Sequence, residues 1–84
     1  MANLGTWTIN TNGEFATLAS ETEQTFTEDT VYTIQILQNS AFLREGTEGD
    51  GFKISSPAPI QYKAGSDDLY IRTGSAGCIV NIAE

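Results

Sequence analysis

The chain has 84 residues, the length of one domain, with 11 acids, four cations and no histidine, for a formal net charge of −7. Its cations, Arg44, Lys53, Lys63 and Arg72, are scattered singly among acids, so direct DNA or RNA binding is not expected and an anionic membrane surface would repel the chain. The lack of histidine excludes Ser-His-Asp and Cys-His catalysis and histidine-ligated zinc, and 39% apolar residues suffice for one thin core whose monomer is marginal.

From Leu4 to Ile82 the sequence runs in short apolar–polar alternations broken by Gly, Asn, Ser, Pro and Asp. No segment has helical spacing, so the chain is expected to be almost wholly β, without a helix longer than one turn. A first strand over Leu4–Asn10 puts Trp7 and Ile9 on one face. Thr11-Asn12-Gly13 follows, and Asn-Gly is the strongest short hairpin signal because both residues tolerate positive φ. A return strand is therefore expected from Phe15, with Phe15, Thr17 and Ala19 on one face and Ala16 and Leu18 on the other. Glu21–Gln24 reads as a solvated connection, Thr25–Thr27 as a short strand, and Glu28-Asp29 as an acidic turn.

Val31–Gln38 is the clearest strand, with Tyr32, Ile34 and Ile36 on one face and Thr33 and Gln35 on the other. Asn39-Ser40 turns the chain into Ala41–Glu45, and Gly46–Gly51, with three glycines, is the most flexible loop. Phe52 and Ile54 point one way in the next strand. Ser56-Pro57-Ala58-Pro59 forms an extended corner, because proline cannot donate inside a central strand. Ile60 and Tyr62 mark another strand, Ala64–Asp68 a turn, Leu69–Thr73 a strand, Gly74–Gly77 a turn, and Cys78–Ile82 the last strand. Seven or eight such strands predict an all-β fold, a small antiparallel β-sandwich or barrel in which residues 1–84 form a single β domain. Jelly-roll connectivity is one arrangement open to it. The expected core is Ile34, Ile36, Phe52, Ile54, Leu69, Ile71, Val80 and Ile82, with Cys78 beside them as a small buried hydrophobe.

A lone cysteine forms no internal disulfide and fits a reducing cytoplasm. Met1–Thr6 has neither a basic region nor an apolar core, so no signal peptide is expected. No apolar run approaches the roughly 20 residues needed to span a bilayer.

No catalytic, cofactor-binding or metal-ligating residue is assigned. The close acids, Asp67-Asp68 and the group Glu45, Glu48 and Asp50, fall in turns, where Asp bonds the local backbone. Glu45–Gly51 could converge on calcium, but its spacing is not that of an EF-hand loop. Trp7, Tyr62 and Tyr70 could form a sugar-stacking platform, although the partners of Trp7 and Tyr62 on their faces, Ile9 and Ile60, point to core or interface. Trp7, Ile9 and Tyr70 are the candidate interface residues. Thr6–Ile9 and Val31–Gln38 are expected to offer strand edges with little charge to guard them.

Gly51-Phe52-Lys53-Ile54, Ile60-Gln61-Tyr62-Lys63, Asp68-Leu69-Tyr70-Ile71-Arg72 and Val80-Asn81-Ile82-Ala83-Glu84 lie in the second half of the chain. Together they resemble small structural proteins encoded in the virion gene clusters of tailed bacteriophages. Those are short, acidic, cysteine-poor β-sandwich proteins that attach to capsids or tails as auxiliary, decoration or fibre-base components. The resemblance is one of style, so no binding residue is carried over by position. It implies a non-enzymatic virion protein made in the host cytoplasm, with a phage major capsid protein or tail protein as partner. Self-association is also expected, a closed trimer being preferred because capsid lattices offer threefold sites. Nucleic acid, membrane and small-molecule substrate are not expected partners. The alternative function is a carbohydrate-binding module on a host-adhesion device.

Overall fold

The computed structural model describes residues 3–84. Eight strands form: β1 (Asn3–Ile9), β2 (Ala16–Thr17), β3 (Val31–Gln38), β4 (Ser40–Glu45), β5 (Phe52–Ser55), β6 (Pro59–Lys63), β7 (Leu69–Arg72) and β8 (Cys78–Ala83). One short helix, α1 (Leu18–Thr22), follows β2. The strands make two four-stranded antiparallel sheets, in the orders β1-β8-β3-β6 and β2-β7-β4-β5.

These orders have a simple origin. β1 pairs with β8, β2 with β7, β3 with β6 and β4 with β5. The first half of the chain therefore lies antiparallel to the second as one long ribbon, and the glycine-rich loop 46–51 is its tip. The ribbon rolls up, and β3 then meets β8 while β4 meets β7. That is jelly-roll connectivity, with a sandwich of two sheets as its result.

The rolled ribbon changes the meaning of two turns. Asn12 and Gly13 do take positive φ, at 51° and 88°, as the Asn-Gly signal requires. They do not close a hairpin, however, because β1 and β2 belong to different sheets. The turn is instead a corner where the chain crosses between sheets. It is tied to the matching corner after β7 by Thr11 and Thr73: the Thr11 N–H donates to Thr73 Oγ1 at 2.9 Å, and the Thr73 N–H to Thr11 Oγ1 at 2.8 Å. Asn39, at φ 68°, is likewise a corner, and its carbonyl accepts from the Ser56 N–H at 3.0 Å.

The stretch between β2 and β3 departs most from its sequence pattern. The return strand expected from Phe15 stops after Ala16–Thr17, and Leu18–Thr22 turns into a helix slightly longer than one turn. Burial explains the switch. Leu18 and Thr22, four residues apart, both point into the core, and Thr22 Oγ1 donates to the Leu18 carbonyl at 2.8 Å. Thr22 is thus buried in a segment expected to be solvated. The helix ends where Glu23 takes a left-handed conformation at φ 56°. Thr25–Thr27 forms no strand. Its Phe26 ring meets Tyr32 edge-on at 4.9 Å, and the Thr27 N–H donates to the Tyr32 hydroxyl at 2.7 Å. That bond satisfies the one polar atom of a fully buried tyrosine side chain.

Both inner faces follow the expected alternation. Ile34, Ile36, Val80, Ile82 and Cys78 on the first sheet meet Ile54, Leu69 and Ile71 on the second, joined by Ile9, Leu18, Tyr32, Ala41 and Leu43. Phe52 is the exception: it shares the face of Ile54 but sits at the start of an edge strand, beyond the core, and stays 54% exposed. Gly51 just before it takes φ 76°, where a Cβ would collide with the Leu43 carbonyl.

Ile36 is fully buried, so Ile36→Ala is expected to lower the unfolding free energy in urea by about 2–5 kcal/mol. Phe52→Ala should cost less than about 1 kcal/mol, the range for exposed positions. Similar losses for the two would mean that the β5 edge packs more tightly than its exposure indicates.

Candidate functional site

The ribbon topology sorts the loops to two ends of the sandwich. One end carries the corners 10–15, 39, 56–58 and 73–77, and the other carries 18–30, 46–51, 64–68 and Glu84. Ten of the 11 acids (Glu21, Glu23, Glu28, Asp29, Glu45, Glu48, Asp50, Asp67, Asp68 and Glu84) lie at the second end, and only Glu14 at the first. No strand holds an acid except Glu45, the last residue of β4.

A cleft of about 340 Å³ opens at the acidic end, between the segment 24–28 and the turn 64–68. Phe26, Glu28, Tyr62, Gly65, Asp67 and Asp68 line it. A shallower hollow beside it is bounded by Glu45, Glu48 and Asp67. Among the described residues no three acids or thiols converge closely enough to hold a metal ion. The Tyr62 hydroxyl is pushed above its ordinary value of 10.0, first by burial and then by the negative charge of the Glu45 carboxylate. The Cys78 thiol is pushed up by burial.

The outer face of the second sheet holds what the scattered sequence positions conceal. Register places Phe42 opposite Arg72 and Arg44 opposite Tyr70 on adjacent strands β4 and β7. Phe15, entering β2, lies over both guanidinium groups. Arg44 Cζ is 3.8 Å from the Phe15 ring centre and 5.4 Å from that of Tyr70, while Arg72 Cζ is 5.3 Å from Phe15 and 4.2 Å from Phe42. The result is an alternating ladder, Tyr70–Arg44–Phe15–Arg72–Phe42. Each exposed cation–π contact is worth about 0.5–1 kcal/mol, so the ladder chiefly fixes the arginines in place. Arg44 is held further by donation from Nη1 to the Gly49 carbonyl at 2.8 Å, and its buried Nε has no hydrogen-bond partner. Lys53 pairs with Phe42 across the β4–β5 ladder and is exposed. Three of the four cations therefore share one acid-free face.

The first sheet differs. Its outward positions include Thr6, Thr8, Thr33, Gln35, Gln61, Asn81, Ile79 and one cation, Lys63, with the apolar Val31 and Leu37 at 47% and 44% exposure. Thr6–Ile9 does lie on an edge strand, β1, whereas Val31–Gln38 is central, between β8 and β6. The other edges are blunted: β6 begins with Pro59 and ends with Lys63, β5 holds Lys53, and β2 has two residues. β1 has only a register shift between Asn3 and Gly5.

The three candidate interface residues do not come together. Ile9 is 1% exposed and belongs to the core. Trp7 is half-buried, lies over Gly5 of its own strand and packs against the core. Tyr70 is half-buried at one end of the ladder on the other sheet. Trp7, Tyr62 and Tyr70 form no joint sugar platform either, since Trp7 and Tyr62 sit on opposite edge strands of the first sheet. The residues that do converge, Phe15, Phe42, Arg44 and Arg72, were readable only as alternate positions facing away from Leu43 and Ile71. No family model matches the chain, and no curated protein and no solved structure matches it.

Two outcomes are expected. A tyrosine kept neutral by its fold contributes stability that is complete below the unfolded value of 10.0 and lost as pH rises through the higher folded value. Unfolding midpoints should accordingly decline above pH 10.0, and less steeply in Tyr62→Phe; superimposable alkaline limbs would refute the assignment. A metal chelator should leave the melting temperature unchanged, whereas a large downward shift would reveal an ion at Glu45, Glu48 and Asp50.

Proposed function

We propose that the protein is a non-enzymatic structural subunit of a tailed-phage particle, a capsid auxiliary or decoration protein. It docks on the capsid lattice and associates with further copies of itself. The observation that carries this reading is the segregation of charge. Ten of 11 acids gather at one end, leaving both sheet faces and the β1 edge without a carboxylate to desolvate against a partner. An uncharged edge of seven residues beside a face of Thr, Gln, Asn, Val, Ile and Leu, whose one cation, Lys63, lies on the far edge strand, suits strand pairing and flat contact. The acidic end lies off the sheet faces, at the strand ends, and keeps the subunit soluble.

The sequence style of the second half supports the same reading. The jelly roll adds only an analogy of fold, since viral capsid and lectin domains both use it. A tail or fibre-base component is the same role with another partner.

The test is co-sedimentation of purified protein with capsids and, separately, tails that carry no copy of it. Saturable binding to capsids is expected. Binding to tails alone would move the protein to the tail or fibre base. If it binds neither and instead gives specific signals on a glycan array, the carbohydrate-binding function replaces the structural one.

A further inference from the structure

We infer that the Arg–aromatic ladder on the second sheet of one copy receives the acidic end of a second copy, so that copies join head to tail. The inference rests on the self-association in the proposed function and names the two surfaces that make it.

The ladder face is cationic on a chain whose net charge is −7. Arg44, Arg72 and Lys53 share it, and the one strand acid of that sheet, Glu45, pairs with Leu69 at its end. The face therefore meets no carboxylate across its own strands. Its guanidinium planes lie against rings, at 3.8 Å for Arg44 on Phe15 and 4.2 Å for Arg72 on Phe42. Stacking uses the flat faces of a guanidinium; Arg44 also donates from Nη1 to Gly49 and buries its Nε, so Arg72 is the one whose N–H edges can bind a carboxylate in bidentate fashion. The side chains are also ordered in advance, which lowers the entropy lost on docking.

The matching chemistry is present on the same chain. Glu48, Asp50, Asp67 and Asp68 are exposed on the neighbouring loops 46–51 and 64–68. Two such copies repel each other through their net charge at long range, but this repulsion is screened. The molecule measures 31 × 26 × 21 Å, against a Debye length of about 8 Å at physiological salt. The Arg72–Phe42–Lys53 row lies three residues along β4 from Glu45, about 10 Å at about 3.3 Å per residue, so contact attraction at that row outlasts repulsion from the host copy's own acidic loops. Because the two patches differ, the contact is heterologous: it closes into a ring, such as a trimer, or continues as a filament. The ladder's aromatic rungs add apolar area to a contact that exposed ion pairs alone would leave weak.

The experiment uses the full chain and two charge variants, each checked by circular dichroism for an unchanged fold. One removes the face (Lys53→Gln with Arg72→Gln) and the other removes the end (Glu48→Gln, Asp50→Asn, Asp67→Asn and Asp68→Asn). In light scattering the wild-type protein should exceed monomer mass and return to monomer as salt approaches about 1 M, where the Debye length is about 3 Å. Each variant alone should be monomeric. Their equimolar mixture should give a one-to-one dimer and nothing larger, since each partner keeps one of the two patches. An association insensitive to salt, a variant that retains the wild-type mass, or a mixture that stays monomeric would overturn the inference. No capsid is present in these measurements, so their failure is independent of whether the protein docks on a virion.

Discussion

Everything in this fold depends on the pairing of β8 with both β1 and β3. β8 is the last strand of the chain, yet it lies inside the first sheet. Its Cys78, Val80 and Ile82 fill the core from one face. Without it β1 has no partner, and β3 is left only with β6. The ribbon would then exist as an open strip, with its apolar side in water. Rolling the strip into two sheets is what makes an interior, and for so small a chain there is no other source of one. The cost is kinetic. Residues as distant as Asn3 and Ala83 must meet before the core is complete, and sheets built from such non-local pairs fold slowly.

How far the sequence disclosed this follows from what each signal reports. Alternation reports which face is buried, so Tyr32, Ile34 and Ile36, Cys78, Val80 and Ile82, and Leu69 and Ile71 could all be assigned inward. It does not report how far a strand end projects past the core, and Phe52 has the right parity but a solvent-facing position at the β5 edge. Turn residues report local φ, and Asn12, Gly13 and Asn39 adopt the positive values expected of them. They are silent on whether the strands they join share a sheet. In a rolled ribbon each corner joins strands of different sheets, so local hairpin logic fails at both corners. Leu18 is the counterpart in the core: strand parity and a helical turn both bury it, and only the neighbouring Thr22 separates the two.

The candidate surface was hidden for a related reason. Arg44 and Arg72 lie far apart in sequence, each flanked by a glutamate or an apolar residue, and appear as isolated charges in an acidic chain. Register in the β4–β7 ladder sets them diagonally on one face, each opposite an aromatic residue. Phe15 reaches them only because β2 pairs with β7. Charge segregation has the same origin. The acids favour loops, where they bond local backbone and stay hydrated, and the roll gathers most loops containing them at one end. Neither pattern is visible without strand order. Strand order follows from the pairing of the two halves.

These surfaces divide the molecule's exterior in a way that bears on the proposed role. The outer face of the first sheet and the β1 edge are uncharged apart from Lys63, and they expose Val31 and Leu37. The second sheet and the acidic end carry nearly all the charge. A subunit that must both sit on a lattice and contact its own copies needs two kinds of contact that do not compete. Flat apolar contact and strand pairing vary little with salt, while guanidinium–carboxylate contact weakens as salt rises. The two sheets of this sandwich have those two characters. The aromatic rungs also bear on which of them binds copies of the chain. A ladder that holds Arg44 and Arg72 rigid on a surface confers little stability of its own, and it leaves a buried guanidinium Nε without a hydrogen bond. A solvated lysine at either position would be easier to place. An arginine stacked between rings, as Arg72 is between Phe15 and Phe42, keeps its N–H edges for a carboxylate from outside the domain, and this chain displays such carboxylates on the loops 46–51 and 64–68.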